Sequence, residues 1–477
     1  MKVLIHKRHL PVCIHTLLLW LLLPVLVTGM HLNDSDQKDM KSGVITDTVV
    51  CTNNEDYSYA LYLPVNYNRN KEWPVIFLFD PGAKGALAVQ TFKSAAESFG
   101  YILAASNNSK NGLPWNRVNS MAESMMKDVK ERFSINAERI YLSGFSGGAR
   151  VASLLAFSNE VSGIIGCGAG FPFGNTWPEL IPDFDYIGLA GNFDMNYQEL
   201  FLLEQELSKR GVTARILNSD YGHSWPPEDL IYEAVEWMEL QAMRRNIIAE
   251  NTYFIDTLYE KKMSVITNIL EEGNIIEAVR TMRWMIDDFK GFSDVSPVQH
   301  ILDSCEHTKK YASDLKTRIK MQQTEIEQQK MFSLAFSGLV FSNALNDSTR
   351  NWWFTNIKKL NKFESSSTVY KSQMATRIKG YVAMGCYMNY ENLSKTSKYD
   401  KLILLSQIWT IAEPENSSAY YYLARSYALN HETKKALEAL EKCFSAGFNK
   451  TGLILEDEAF SIIKSDERFK ELIKKNP

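Results

Sequence analysis

The sequence has little of what marks a disulfide-bonded, zinc-binding or nucleic-acid-binding protein. Its 477 residues include six cysteines; apart from Cys13, the remaining ones are odd in number and widely scattered. Such spacing predicts neither a disulfide framework nor a zinc site, and it favours buried small hydrophobes. The formal net charge is -4, so no concentrated basic surface is available to neutralise phosphates. We expect no metal ion and no nucleic acid among its ligands.

The chain opens with an apolar run that is too short for a spanning helix. Lys2, Lys7 and Arg8 precede the apolar stretch at 16–27, and small residues follow around Gly29. This layout is typical of a secretory signal, here residues 1–29, with cleavage after Gly29. A retained anchor is the alternative, but a spanning helix needs roughly 20 apolar residues. We expect a secreted or periplasmic protein.

The part of the chain from 44 to 243 predicts an α/β domain. The chain is 45% hydrophobic and 23% charged, which for its length favours two or three domains. Short apolar runs alternate with amphipathic segments at 120–133 and 196–209, as in a mostly parallel sheet covered by helices. The first two strands are close together and predict an antiparallel hairpin. Candidate strands lie at 45–51, 59–63, 75–79, 101–105, 139–142, 163–167, 186–190 and 214–218.

After about Arg244 the strand signals stop and an all-α region follows. The spacing of Tyr420, Leu423, Ala424 and Tyr427, continued by Ala436 and Leu440, resembles a tetratricopeptide repeat unit, in which small residues let paired helices approach. Weaker echoes occur at 270–278 and 402–414. We therefore predict a helical region with degenerate repeats at 244–380 and tetratricopeptide-like repeats at 381–477.

A glycine-rich segment at 143–150 follows the candidate strand at 139–142 and precedes an apolar helix. It contains Gly144, Ser146 and Gly148 in the pattern Gly-x-Ser-x-Gly. A serine at such a strand-to-helix turn is held in a strained backbone conformation, which requires small neighbours, and its hydroxyl lies at the helix N-terminus. The alternative is a turn that only packs helix on strand. Ser146 is the candidate nucleophile.

His223 is the candidate base. A neutral serine hydroxyl is a poor nucleophile at pH 7 and needs a base within hydrogen-bond reach. Between Leu32 and Gln299 the chain has one histidine, His223, in a Gly-His loop after the last predicted strand. A lone histidine is more often structural, but this position is the one that a serine hydrolase of alternating strands and helices reserves for its base.

Asp194 is the candidate for the carboxylate that orients the histidine. It lies directly beyond the strand at 186–190, after the serine and before the histidine in chain order. A helix N-cap or a solvated loop acid are the alternatives. Asp183 and Asp185 precede the strand, at the wrong end of a parallel sheet, and Asp220 is too close to the histidine in sequence.

Together these residues resemble the α/β-hydrolase superfamily over roughly 44–243, and within it the esterases related to polyhydroxybutyrate depolymerases and feruloyl esterases. The Gly-His-Ser-Trp-Pro stretch at 222–226 is the most specific point of likeness. The resemblance implies ester hydrolysis through an acyl-enzyme without metal or organic cofactor. Ser146 would attack, His223 would shuttle the proton and Asp194 would support the imidazole.

An acyl-enzyme mechanism also needs an oxyanion hole, and one donor would be the backbone N–H of Gly147. Relatives place a His-Gly pair after the third strand, whereas this chain has Phe-Asp-Pro-Gly-Ala-Lys-Gly at 79–85. Because Pro81 has no N–H, the second donor must come from Gly82 or Ala83, and Gly82 is the first choice. The neighbouring Asp80 would oppose an oxyanion unless it is paired, with Lys84 as the candidate partner.

Loops at the carboxyl ends of parallel strands supply the candidate pocket. Asn108 and Trp115 in the polar loop 107–115, and Trp225 beside the base, are the predicted substrate contacts. The Phe-Pro-Phe segment at 171–173 is a weaker candidate. Each of these could equally serve packing or turn formation.

The sequence therefore predicts an exported serine hydrolase, a carboxylesterase acting on a small-molecule or glycan-linked ester. We expect the helical tail to dock a protein partner or to orient the catalytic domain, and to be dispensable for chemistry, because every candidate catalytic residue precedes Arg244. The competing hypothesis is a non-catalytic hydrolase-like scaffold that binds a protein partner through its repeats. Asp80 at the oxyanion loop favours that alternative.

Overall fold

The strand-rich part of the chain forms one sheet with an antiparallel edge. A computed structural model describes residues 40–174, 176–342 and 345–476. Within them, strands β1 to β8 are Ile45–Cys51, Asn54–Tyr62, Trp73–Phe79, Ile102–Ser106, Ile135–Phe145, Gly163–Cys167, Asp185–Gly191 and Ala214–Ser219. Their order in the sheet is β1-β2-β4-β3-β5-β6-β7-β8. β2 pairs antiparallel with both β1 and β4, and the remaining neighbours are parallel.

Helices cover this sheet and bury its central strands. Every residue of β3, β6 and β7 is buried, as expected for parallel strands with helices on both faces. The first helix and the fifth share one apolar cluster with strand residues such as Ile76 and Ile187. Helices α1 to α5 are Gly85–Phe99, Trp115–Arg132, Gly147–Leu155, Tyr197–Lys209 and Glu228–Arg244.

The rest of the described chain is helical, as predicted. The helices at 252–271 and 275–289 are joined at Gly273, whose φ of 78° favours glycine. Helices α6 to α16 are Thr252–Glu271, Ile275–Phe289, Ser296–Glu306, Lys309–Phe341, Asp347–Glu364, Val369–Leu393, Tyr399–Ala412, Ser417–Leu429, Thr433–Ser445, Thr451–Glu456 and Glu467–Lys475. Across the described residues, none of the helices is both long enough and apolar enough to cross a membrane.

The segment predicted as a repeat unit is the helix pair α13 and α14. The two helices share an apolar cluster that contains Ala424, Ala436 and Leu440, so small residues do lie where the pair packs. Its assignment as a tetratricopeptide repeat stays a prediction. The predicted export signal, residues 1–29, and Cys13 lie outside the described residues.

The helical tail packs directly on the sheet part, and Lys41–Pro477 form one compact unit. One buried contact joins Arg215 of β8 to Asp288 of α7, with 2.9 Å between Nη2 and Oδ1. The indole N–H of Trp237 in α5 donates to the same carboxylate at 3.0 Å. Removing one partner of such a buried pair leaves an uncompensated charge, so the two parts are energetically coupled. The division into domains at 243/244 stays a prediction.

Candidate active site

Ser146 lies at the tight turn between β5 and α3. Its φ of 53° and ψ of -117° are strained for a residue with a side chain. A β-carbon at Gly144 would overlap Gly148, and one at Gly148 would overlap the carbonyl of Phe79. Both glycines of the motif are therefore required by close backbone packing. The N–H of Ser146 donates to the carbonyl of Cys167 at 2.8 Å and helps to hold the turn.

The structure brings Ser146, His223 and Asp194 together in one hydrogen-bonded row. Nε2 of His223 is 2.9 Å from Oγ of Ser146. Nδ1 of His223 is 2.9 and 3.0 Å from the two carboxylate oxygens of Asp194. The Asp194 side chain is buried, whereas the imidazole is 18% exposed. A serine, a histidine and a buried carboxylate in this order can generate a nucleophile and relay its proton.

The rival carboxylates lie elsewhere. Asp183 and Asp185 both pair with Arg245, at 2.9 and 2.8 Å. Asp220 accepts a hydrogen bond of 2.6 Å from the side-chain amide of Asn192. Asp194 also accepts from the N–H of Asn196 at 2.8 Å, so it supports the start of α4 in addition to contacting the histidine.

The predicted oxyanion loop, residues 79–85, is organised around the buried side chain of Asp80. The sequence did not predict this arrangement. Its Oδ1 accepts from the N–H groups of Gly82 at 2.8 Å and Lys84 at 3.2 Å. Its Oδ2 accepts from the indole N–H of Trp225 at 2.9 Å. The contact with Lys84 is therefore made by the backbone and not by the predicted ammonium group.

This arrangement gives Gly82 and Trp225 partners within the protein that the sequence did not predict. The Gly82 N–H donates to the carboxylate of Asp80, and the Ala83 N–H donates to the Asp80 carbonyl at 3.1 Å, so both candidates for the second oxyanion donor are already engaged. Trp225 packs against Phe145, with 5.6 Å between ring centroids. Through its hydrogen bond to Asp80 it connects the loop of His223 to the oxyanion loop. It acts as a brace between these loops.

The polar loop 107–115 contacts Gly147, the residue after Ser146, through Asn111. The side-chain amide of Asn111 lies against Gly147, where any β-carbon would overlap it. The Asn111 side chain is exposed, and its backbone N–H anchors it to the carbonyl of Pro81 at 2.9 Å. The sequence shows a glycine at position 147, but it does not show that the Asn111 side chain occupies the space of a β-carbon there.

The two residues predicted from this loop have other surroundings. Asn108 accepts from the N–H of Ser58 at 2.8 Å and donates to the carbonyl of Asp56 at 3.3 Å. It therefore fastens the loop to β2, which is a structural role. Trp115 is the first residue of α2 and is 42% exposed.

A groove of about 620 Å³ begins at Gly222 and His223 and continues along the helical tail. Phe193 and Met195, on either side of Asp194, form its near wall. The far wall comes from α11, α12, α13 and the segment 448–453. A larger cavity of about 700 Å³ includes Phe171 and Pro172, the weaker candidates, but none of the three hydrogen-bonded residues lines it.

Helices of the tail also hold the loop that carries Asp194. Arg377 of α11 donates from Nη1 to the carbonyl of Asn192 at 2.8 Å, and Gln329 of α9 donates to the carbonyl of Met195 at 3.2 Å. Arg377 is itself fixed by a buried ion pair with Glu325, with Nη2 and Oε2 2.6 Å apart. The orientation of Asp194 therefore depends on contacts far along the chain.

The described cysteine thiols lie outside this row of three residues. Cys51, Cys167, Cys386 and Cys443 are buried free thiols and Cys305 is half-buried, as the sequence predicted for small hydrophobes. Burial raises the pKa of the Cys167 thiol to about 12, which a hydrogen bond with Ser143 partly offsets. The part of the chain that the structure describes contains no cluster of three or more His, Cys, Asp or Glu side chains placed to hold a metal ion.

Comparison with known proteins gives structural likenesses only. No protein family and no curated protein matches the sequence. Similar solved structures include esterase PE8 (16% identical, TM-score 0.33, covering 38% of this chain and 98% of that one). S-formylglutathione hydrolase FrmB from Staphylococcus aureus is 13% identical, with a TM-score of 0.34 and coverage of 42% and 98%. A feruloyl esterase module from Clostridium thermocellum is 15% identical, with a TM-score of 0.34 and coverage of 43% and 91%. With TM-scores below 0.5, these likenesses carry no argument about what this chain does.

Proposed function

We propose that this protein is an exported serine hydrolase of the α/β-hydrolase type that cleaves carboxylic esters through an acyl-enzyme on Ser146. The observation that carries the proposal is the row from Oγ of Ser146 through His223 to Asp194, with separations of 2.9 to 3.0 Å. Its serine stands in a strained turn that presents the hydroxyl. The basic start and short apolar run of residues 1–29 support export.

The proposed hydrolysis has two steps, acylation of Ser146 and deacylation by water. In acylation, Oγ of Ser146 forms a bond to the carbonyl carbon while Nε2 of His223 takes the hydroxyl proton. The tetrahedral intermediate then breaks its bond to the alcohol oxygen, which leaves with that proton. In deacylation, water attacks the acyl carbon, His223 takes a proton from the water and returns it to Oγ, and the carboxylic acid is released. Asp194 holds the imidazole and stabilises its charged form.

The oxyanion of the intermediate would be held by the N–H of Gly147 and a second donor. Because the N–H groups of Gly82 and Ala83 are engaged by Asp80, we assign the second donor to the Nδ2 group of Asn111, whose side chain lies against Gly147 with Oδ1 as its nearest atom. Both carboxylate oxygens of Asp80 accept from protein donors, Oδ1 from the Gly82 N–H and Oδ2 from the indole of Trp225. This weakens the reason for regarding the site as inactive.

Labelling with a fluorophosphonate probe tests the proposal. We expect the full-length chain to be labelled on Ser146 and to release the acid from simple acetate esters, whereas Ser146→Ala should do neither. Circular dichroism provides the control for folding. A folded wild-type chain that resists the probe would favour the non-catalytic scaffold over the enzyme.

A further inference from the structure

The groove beside His223 is shared between the sheet part and the helical tail. It begins at Gly222 and His223 and runs past Phe193 to Tyr387, Trp409 and Tyr422 of the tail. Its volume of about 620 Å³ lies within the range of sites that enclose small molecules, about 300 to 1,000 Å³. Since the imidazole of His223 lines the groove, a ligand bound in the groove lies against the residue that transfers the proton in the proposed reaction.

The groove lies on one particular side of the site. His223 lines it, whereas Ser146, Gly147 and the oxyanion loop do not. In acylation the protonated histidine gives its proton to the departing oxygen, so the alcohol half of an ester must lie on the imidazole side. The acyl half lies over the Gly147 N–H. The groove therefore continues from the alcohol half and not from the acyl half.

We propose that the helical tail forms the leaving-alcohol subsite of the enzyme, and that this subsite takes an uncharged alcohol carrying an aromatic ring. The proposal rests on the proposed function. It gives the tail a direct part in substrate recognition.

The lining of the groove indicates the class of alcohol. Aromatic rings dominate the far wall: Trp409 stacks on Tyr422 with 5.5 Å between centroids, and Tyr421 stacks on Phe448 at 5.4 Å. Such walls favour apolar ring systems, because aromatic pairs contribute beyond the area that they bury.

The charges in the groove do not favour an ionic ligand. The carboxylate of Glu413 is engaged by the indole N–H of Trp409 at 2.9 Å and the amide of Asn416 at 2.7 Å. Lys450 at the rim is exposed and opposite in sign, so the lining has no net formal charge. An uncharged alcohol is therefore the ligand that this surface fits.

Gly380 lines the groove opposite Met195. It lies inside α11, where glycine costs about 1 kcal/mol of helix stability relative to alanine, so packing must explain its presence. A β-carbon there would lie 3.8 Å from Cβ of Met195, in the loop that carries Asp194, which is called the acid loop below. A longer side chain at this position would occupy part of the groove beside Met195.

Three esters separate the two halves of the substrate. Ethyl acetate is the reference, 2-phenylethyl acetate carries a ring on the alcohol, and ethyl 3-phenylpropanoate carries a ring on the acyl group. The specificity constant kcat/KM reports the steps up to acylation, so the shared hydrolysis of the acetyl-enzyme does not affect the comparison of the two acetates. All measurements use the full-length chain.

Two substitutions alter the groove, each with a matched control. Gly380→Leu fills it, and Gly338→Leu makes the same change at an exposed glycine inside α9 with open space around it. Tyr387→Ala removes a ring that is 41% exposed, and Met388→Ala truncates its neighbour, which is 60% exposed and outside the groove. Fluorophosphonate labelling checks that each variant keeps a working triad.

We expect wild type to prefer 2-phenylethyl acetate to ethyl acetate. Gly380→Leu should lower that ratio of kcat/KM about tenfold or more, and Tyr387→Ala roughly three- to tenfold, the range of one aromatic contact. The controls should keep the ratio. A loss confined to ethyl 3-phenylpropanoate, an equal loss on all three esters, an unchanged ratio in both groove variants, or no preference in wild type would each overturn the subsite. Failure of the proposed function would appear separately, as a folded wild type that the probe does not label.

Discussion

At the scale of single residues, the site combines a strained nucleophile with tightly fixed partners. The backbone of Ser146, with φ at 53°, carries a cost of order 1–3 kcal/mol. That cost is offset by the N–H of Ser146 bonding to Cys167 and by the packing of Gly144 on Gly148. The serine is thus held in place before any substrate binds.

The role of Asp194 can be separated from that of a helix cap by one substitution. In Asp194→Asn, we expect folding to be kept, since the amide oxygen can still accept from the N–H of Asn196. Turnover should fall by orders of magnitude, about 10⁴ in the best-studied triad, because the imidazole loses its orienting carboxylate. Steady-state kinetics on an acetate ester would measure the loss in kcat.

Asp220→Asn is the matched control, because Asp220 is the next aspartate along the chain and contacts Asn192 instead of the histidine. It should keep most of its activity. An Asp194→Asn enzyme that also kept most of its activity, beside an inactive Ser146→Ala enzyme, would contradict the assignment of the acid.

Asn111→Ala tests the second oxyanion donor. Loss of one such donor costs roughly 10²- to 10³-fold in kcat, and the exposed side chain should be removable without loss of folding. The measurement is kcat for acetate hydrolysis. Asn108→Ala, three residues earlier, should lower the melting temperature and leave kcat nearly unchanged, because its side chain joins the loop to β2. Equal kcat in Asn111→Ala and wild type would rule out the amide as a donor.

At the scale of elements, α9 and α11 act as supports for the acid loop through Glu325 and Arg377. Both side chains are buried, and Gln198 of α4 also donates to Glu325 at 2.9 Å. Tyr197 lies beneath the guanidinium group, 4.5 Å from ring centroid to Cζ. Arg377 is thereby fixed on several sides, and its bond to the Asn192 carbonyl sets the position of the loop.

Stability and activity should separate when this ion pair is replaced. Arg377→Met alone leaves Glu325 buried without its cation and should cost about 3–5 kcal/mol in the free energy of unfolding. Adding Glu325→Gln should restore much of that loss, because Gln keeps an acceptor for Gln198. It should not restore kcat, which we expect to stay roughly 10²-fold low because the Asn192 carbonyl still lacks its donor.

Denaturant unfolding and acetate hydrolysis measure the two quantities in parallel. If the double variant regained full activity along with stability, Arg377 would act on folding alone.

The elements could be predicted from the sequence to a greater extent than the site. Strands such as β6 and β7 are short buried runs bounded by turn residues, and their predicted bounds differ from the observed ones by at most one residue. The motif around Ser146 was recognisable because its glycines are local requirements. Gly82 was assigned a donor role because the turn that directs its N–H to Asp80 is not visible in residue types.

At the scale of the whole molecule, the helical tail contacts the loop of Asp194 and lines the groove at His223. This contact could not be predicted, because Arg377 and Asn192 are separated by 185 positions and no local sequence pattern indicates a contact at that distance. The expectation that the tail is dispensable rests on the triad preceding Arg244 and on a sheet that the predicted domain completes by itself. The structure argues against it, since tail residues line the groove at His223 and fix the loop of Asp194.

Truncation after Ala249 should therefore abolish or strongly slow fluorophosphonate labelling, in contrast to what the sequence alone predicted. The fragment loses Arg377 and the far wall of the groove, and Arg215 of β8 loses Asp288. Labelling rate and circular dichroism would be measured together. A folded fragment that is labelled at the rate of the full chain would show that the sheet part is self-sufficient.

The hydrogen bond from Arg377 to Asn192 also has a consequence for the timing of biosynthesis. Chains emerge from the ribosome at about 5–20 residues per second and fold from the N-terminal part onward. The sheet part is therefore complete roughly 7 to 27 s before the arginine that positions its acid loop has been made. We expect the nascent chain to carry all three triad residues for that interval without being a competent hydrolase, so that catalysis begins only when α11 has docked.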